Sequence, residues 1–196
     1  MKNFIEAQIK SSIEAKEKIL KDGQYIEQIQ SIVEIVIQAY KLGKKVLLCG
    51  NGGSAADSQH IAAEFVSKFR LDRKALPAIA LTVNTSVLTS IGNDYSYKNI
   101  FERQVEAFGK EGDVLIGIST SGNSENITLA FKKAKEIGIT TIGFLGKDGG
   151  ENKNYCDFPL IVPSEDTPRV QEAHIMIGHI VCDIVEKELF GEKVDE

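Results

Sequence analysis

The sequence predicts an α/β fold, a three-layer α/β/α sandwich around a five-stranded parallel sheet, preceded by an N-terminal pair of helices. Three observations predict it. Five short apolar runs (Lys45–Cys49, Ala78–Thr82, Val114–Ser119, Thr140–Leu145 and Phe158–Val162) alternate with segments of helical periodicity. The runs read as strands buried on both faces, which is the mark of a parallel sheet covered by helices on each side. The first and third runs each end in a loop of small glycine and serine residues that opens a helix, and such folds bind ligands at the carboxyl ends of their strands.

Taken in order, residues 4–20 place Ile5, Ile9, Ile13, Ile19 and Leu20 at helical spacing. Residues 25–41 continue with Ile26, Ile29, Ile32, Val33, Val36 and Ile37, and Asp22-Gly23 breaks the two. This pair carries more apolar face than one sheet covers. A subunit interface and a simple cover for the sheet are both open readings. The first run then passes into Gly50-Asn51-Gly52-Gly53-Ser54 and the second into a helical segment ending near Ile91-Gly92. The third passes into Ser119-Thr120-Ser121-Gly122-Asn123-Ser124. The closing segment, from about Pro168 to Phe190, reads as one long helix with proline in its first turn. No linker or low-complexity tract divides the chain. The expectation is one domain over 1–196, with helices in 1–42 and the sandwich core and closing helix in 45–190.

Composition narrows the class. The 196 residues are 42% hydrophobic and 26% charged, an ordinary globular balance. The net charge of −5 argues against a nucleic-acid partner, because a phosphate backbone rewards a basic surface. No apolar stretch approaches the ~20 residues needed to span a bilayer. The start, Met1-Lys2-Asn3-Phe4-Ile5-Glu6, lacks the apolar core of a signal peptide, so a cytoplasmic location is expected. Cys49, Cys156 and Cys182 form no pair with zinc-site or disulfide spacing; Cys49 and Cys182 read as buried packing residues.

The two loops carry the chemistry. Glycines let a backbone approach an anion closely, a helix start offers unpaired N–H groups and a positive dipole end, and short hydroxyls add donors. Gly50-Asn51-Gly52-Gly53-Ser54-Ala55 fits the dinucleotide pattern G-x-G-x-x-A, but Val83-Asn84-Thr85 after the second run supplies no ribose-binding acid. No Lys-Ser or Lys-Thr follows the glycines, so a triphosphate loop fails too. A phosphosugar suits both loops: its phosphate on Ser119, Thr120, Ser121 and Ser124, its polyol along Asn51, Gly52, Gly53 and Ser54. A helix cap needs one such serine; four hydroxyl residues in six positions exceed it.

At these residues the chain resembles the sugar isomerase (SIS) domain superfamily and, more narrowly, the phosphoheptose isomerase family. The matching pieces are Gly50–Ser54, His60-Ile61-Ala62-Ala63-Glu64, Gly92-Asn93-Asp94, Gly112-Asp113-Val114-Leu115, Ile118–Ser124, Gly146–Gly150 and Arg169-Val170-Gln171-Glu172. The resemblance implies an aldose–ketose isomerase acting on sedoheptulose 7-phosphate to give D-glycero-D-manno-heptose 7-phosphate, a precursor for lipopolysaccharide or capsule. It implies one zinc ion per subunit, in sites between subunits of a homotetramer. Two alternatives stay open: a non-catalytic relative that binds the replication initiator DnaA, and an SIS isomerase for another phosphosugar. The DnaA-binding relative lacks the residues at the positions of Glu64 and His179.

The resemblance carries residue by residue. His60, Glu64, Gln171 and His179 match the zinc ligands, with Glu64 also the base and His179 the acid. Glu64, Asn93, Asp94 and Gln171 match substrate contacts. His60 and Glu64 stand four residues apart, about 40° past a full helical turn, and leave one face. Gln171 and His179 stand eight apart, about 12 Å and roughly 80° beyond two turns, so one ion reaches both only if they lean strongly together. An amide is also an uncommon zinc ligand. His174 reads as a packed residue. Some family members carry an acid where this chain has Pro168, and a proline offers no carboxylate for a substrate contact there.

Overall fold

The computed structural model describes residues 1–191. Helices α1 (Lys2–Lys21) and α2 (Gly23–Lys41) part at Asp22, whose carboxylate caps α2 by accepting from the Gln24 N–H at 3.0 Å. Strands β1 (Val46–Gly50), β2 (Ala78–Ala80), β3 (Val114–Ser119), β4 (Thr140–Leu145) and β5 (Phe158–Ile161) form one parallel sheet in the order β2-β1-β3-β4-β5. Every residue of β1 and β3 is buried, as strands with helices on both faces must be.

Alternation along the strands sorts the core into two layers. Val46, Leu48, Val114, Ile116 and Phe144 pack with α2, α3 (Gly53–Val66) and α7 (Thr167–Phe190). Leu47, Cys49, Leu115 and Leu145 pack on the other face with α4 (Thr85–Asp94), α5 (Glu102–Phe108) and α6 (Glu125–Ile137). The three cysteines are buried and free. Burial raises each thiol, that of Cys156 to about 11.

Expectation and structure differ in small, explicable ways. β1 starts one residue later than expected and takes in Gly50. β2 keeps only three residues because it is an edge strand bonded to β1 alone, and Leu81 adds one more bond, to the Leu48 carbonyl at 2.8 Å. Helix α4 runs on to Asp94, past the expected end near Gly92. The two helices of the N-terminal pair differ in burial. Helix α2 buries Ile29, Ile32, Val33, Val36 and Ile37 and covers the sheet, while α1 leaves Phe4, Ile5, Ile9 and Ile13 exposed. Helix α1 is fastened to the start of α7: Ser12 donates to Glu172 at 2.6 Å, and Arg169 donates to the Gln8 carbonyl at 2.5 Å. No described helix is long and apolar enough to cross a membrane.

Candidate active site

The chain leaves β1 for α3 on one face of the sheet and leaves β3 for α6 on the other. A crevice therefore opens between the carboxyl ends of these neighbouring strands. On the β3 side the hydroxyls form one connected set. Ser119 is buried, with its Oγ 3.0 Å from Ser124 Oγ and 3.5 Å from Ser121 Oγ, and it accepts from the Gly122 N–H at 3.1 Å. Ser124 holds the N-cap position of α6, yet its side chain forms no cap bond. A serine present only to cap would accept from the second or third helical N–H. This one turns to Ser119 and leaves the helix start, with its positive dipole end, facing the crevice. Gly122 has φ +69°, and a Cβ there would strike the Gly149 carbonyl of the neighbouring loop. Thr120 is half-buried in the same loop.

On the β1 side, Gly52 stands at the N-cap of α3 with φ +57°, a conformation that residues with a Cβ adopt only under strain. Gly50 lacks room for a Cβ, which would lie 2.5 Å from the Ser54 carbonyl oxygen. Asn51 reaches across the crevice into a reciprocal amide pair with Asn126 of α6, both bonds 2.9 Å, and accepts from the Tyr97 hydroxyl at 3.0 Å. That pair ties the two loops together. Beside it lies a cavity of about 320 Å³, lined by Asn51, Ser96, Tyr97, Lys98, Ser124 and Asn126, among others. Larger cavities, about 420 and 500 Å³, lie beside α2 at the amino ends of strands, away from both loops.

The third part of the site is a cluster at the far end of α3. Glu64 Oε1 lies 3.0 Å from His60 Nε2, and His179 Nε2 of α7 lies 3.4 Å from the same nitrogen. One ligand atom from each residue falls within 4.8 Å of the others. The imidazoles meet edge to face at 4.9 Å between centroids, and the Phe69 ring lies 5.7 Å from that of His179. His60 is exposed; Glu64 and His179 are half-buried. The spacing suits a metal, since ligand atoms about 2.0–2.1 Å from a tetrahedral zinc stand about 3.4 Å apart. Two nitrogens and one carboxylate oxygen make the three-ligand set of an open zinc site.

Helix packing brings His179 to this pair. Helices α3 and α7 approach closely at Gly178, where a Cβ would meet Ile61 Cδ1 at 2.6 Å, and this puts His179 opposite His60. Gln171 sits elsewhere. Its amide lies against Gly53, where a Cβ could not fit, roughly two turns of α3 before His60. Within one chain His60, Glu64 and His179 gather, and Gln171 joins the glycine loop. Of the four expected ligands, three thus gather at one point and Gln171 lies against the start of α3. Asn93 and Asp94 are exposed in the last turn of α4, where Asn93 donates to Asp94 at 2.8 Å. Ser54 is buried in the first turn of α3. His174 is packed as expected: its Nε2 lies 3.0 Å from the Leu145 carbonyl, and burial lowers its pKa to about 4.

Sequence reasoning missed Tyr97, Lys98 and Asn126 in the cavity, and Phe69 beside His179. Asn126 carried a signal, as an amide two residues beyond the last loop serine on a helix start. Tyr97 and Lys98 sit in a short 3-10 turn with no sequence mark of its own.

A family model described as SIS domain matches residues 9–146. The chain is 53% identical over 195 residues to the phosphoheptose isomerase of Sulfurimonas denitrificans, covering 100% of each chain. Among solved structures it is similar to a phosphoheptose isomerase from Neisseria gonorrhoeae, with TM-score 0.89 and 42% identity over 95% of this chain and 98% of that one. A phosphoheptose isomerase from Francisella tularensis gives TM-score 0.91 and 36% identity over 94% and 97%.

Proposed function

The chain belongs to the phosphoheptose isomerases of the SIS domain family, and from that premise we propose that it interconverts D-sedoheptulose 7-phosphate and D-glycero-D-manno-heptose 7-phosphate through an enediolate. The observation that carries this reading is the convergence of His60, Glu64 and His179 at one point. A DnaA-binding relative has no use for a carboxylate and imidazole placed to move protons, and both are present and adjacent here.

Moving a carbonyl between C1 and C2 needs a base for a carbon-bound proton, an electrophile for the developing oxyanion and an acid to return a proton. Glu64 is the base. Its Oε1 faces His60, which leaves Oε2 for the sugar. His179, half-buried under the Phe69 ring, is the acid at the oxygen. His60, Glu64 and His179 would hold a zinc ion, which when bound supplies Lewis-acid polarisation of the sugar oxygens. Gln171, placed against Gly53, is a polyol contact in this reading rather than a ligand within its own chain. The phosphate rests on Ser119, Thr120, Ser121 and Ser124 at the α6 start, and the polyol runs along Asn51, Gly52, Gly53 and Ser54. Asn93 and Asp94 keep a substrate role only at the rim, given their exposure.

A homotetramer with sites between subunits belongs to the same proposal. Its support is the apolar row Phe4, Ile5, Ile9 and Ile13 on α1, exposed together with Ile180 and Ile184 on α7. One SIS domain over the whole chain, a cytoplasmic location and a product destined for lipopolysaccharide or capsule complete the reading. The test is a panel of phosphorylated pentoses, hexoses and heptuloses followed by NMR. The reading expects aldoheptose 7-phosphate from sedoheptulose 7-phosphate alone, and faster turnover of a pentose or hexose phosphate would replace the substrate.

A further inference from the structure

A second, buried constellation lies behind the His60–Glu64–His179 cluster. Glu186 of α7 is 1% exposed, yet its carboxylate accepts four bonds. Oε1 takes the N–H groups of Arg70 at 2.6 Å and Leu71 at 2.7 Å. Oε2 takes the Phe69 N–H at 2.9 Å and Arg73 Nε at 2.8 Å. The Arg73 side chain is as deeply buried, 2% exposed, and its two remaining nitrogens cap the end of α3. Nη2 donates to the Glu64 carbonyl at 2.9 Å, and Nη1 donates to the Phe65 carbonyl at 2.8 Å and to that of Lys74 at 3.1 Å.

These bonds have a direction that simple loop anchoring would not require. Glu186 lies seven residues after His179, about 20° short of two turns, so both side chains leave nearly one face of α7. At one end of that face is the imidazole. At the other is a carboxylate tied, through one guanidinium, to the backbone of Glu64 itself. The same carboxylate holds the N–H of Phe69, whose ring packs on His179. Arg70, also held by Glu186, sets its Nε 3.2 Å from Asp183, one turn after His179. Helices α3 and α7 are thus locked to each other at the point where one supplies Glu64 and the other His179.

We propose that Arg73 and Glu186 are positioning residues for the reaction: their buried ion pair fixes the separation of Glu64 from His179 and holds Phe69 over the imidazole. The inference rests on the isomerase reading for its kinetic arm, and on geometry alone for its structural arm. A pair of this kind is ordinarily worth little for stability compared with apolar packing, and its bonds to both helices beside a reactive cluster point to a positional role.

The experiment compares wild type, Glu186→Gln, Arg73→Lys and Glu64→Gln. For each, zinc affinity is measured by competition with a chromophoric chelator, kcat and KM are measured on sedoheptulose 7-phosphate, and the Phe69–His179 ring contact is read in metal-free protein by nuclear Overhauser effects. Folded Glu186→Gln is expected to bind zinc roughly 10–100-fold more weakly and to lose kcat by a similar factor, as when groups supporting metal ligands are removed. KM should stay within about threefold, because the serine loop is untouched. The Phe69–His179 contact should be lost. Arg73→Lys keeps the three backbone bonds to Glu186 but loses the forked cap on Glu64 and Phe65. It should weaken zinc binding by about tenfold, and it carries the test if Glu186→Gln does not fold. Folded variants with wild-type zinc affinity, kcat and ring contact would overturn the proposal and leave the pair a structural staple. If wild type itself neither binds zinc nor turns over the heptulose, the isomerase reading fails, and the ring contact still decides whether the pair positions His179.

Discussion

The two strand-to-helix loops use one backbone device for different ends. After β3, the loop is a set of hydroxyls bonded to one another, closed against Gly149 and aimed by the start of α6. After β1, the loop is nearly bare of side chains, and its helix carries the reactive groups two turns further on, at His60 and Glu64. The first region is complete within a few consecutive residues. The second needs a partner helix from the far end of the chain to bring His179, and the Asn51–Asn126 amide pair to hold it against the first. On the proposed reading, binding is built locally and chemistry is built by tertiary packing. The two should therefore fail in different ways.

The largest expected effect is on the packed side. His179→Gln should lower kcat by about 10²–10⁴, the usual contribution of a positioned acid or base, with KM little changed. Steady-state kinetics with added zinc would check this, and an equal rise in KM would merge the two regions. On the local side, replacing Ser121 and Ser124 by alanine should raise KM by roughly tenfold or more, since hydrogen bonds to a charged group are worth about 1.5–3 kcal/mol. A loss confined to kcat would move the phosphate elsewhere. Gly52→Ala forces φ +57°, ψ −120° on a residue with a Cβ and should cost about 1–3 kcal/mol, visible as a fall in Tm of several degrees.

The packed side also carries a pH dependence of stability, through two buried groups on α7. Burial pushes the Glu186 carboxyl up, but the three backbone N–H donors and Arg73 outweigh it and hold it at about 2, below the ordinary 4.5. Its contribution to stability is present above pH 4.5 and lost as pH falls toward 2. His174, held neutral by burial at about 4 against an ordinary 6.5, contributes stability that is lost as pH falls from 6.5 toward 4. Thermal melts across this range should show Glu186→Gln flattening the lower window and His174→Gln the upper. Unchanged slopes would remove both groups from the acid response.

Much of the fold was legible because burial on both faces writes strands as continuous apolar runs; β3 and β4 have the expected bounds. The edge strand β2 was read too long, since an apolar run does not reveal that only one neighbour offers backbone partners. Helical spacing made His60 and Glu64 readable as a pair. It also set Gln171 and His179 about 80° apart around α7, and the structure has the first against Gly53 and the second beside His60. That contact depends on a glycine meeting an isoleucine 117 positions away, Gly178 on Ile61, and no local pattern encodes it. Glu186 left only a faint trace, as an acid one turn after the apolar Cys182, with Asp183 and Glu188 close by in the sequence. A buried carboxylate there demanded partners, but nothing in the sequence named the 69–73 loop as their source.

The measurement that tests the account most directly is turnover of sedoheptulose 7-phosphate by wild type and Glu64→Gln, followed by NMR after chelation and again after zinc is restored. The account predicts zinc-dependent appearance of the aldoheptose 7-phosphate in wild type. It predicts loss of at least ~10² in kcat for the variant, with KM and the serine-loop phosphate contact intact. A folded, zinc-loaded Glu64→Gln that turns over at close to the wild-type rate would contradict it, because the carboxylate beside His60 would then not be the group that moves the proton.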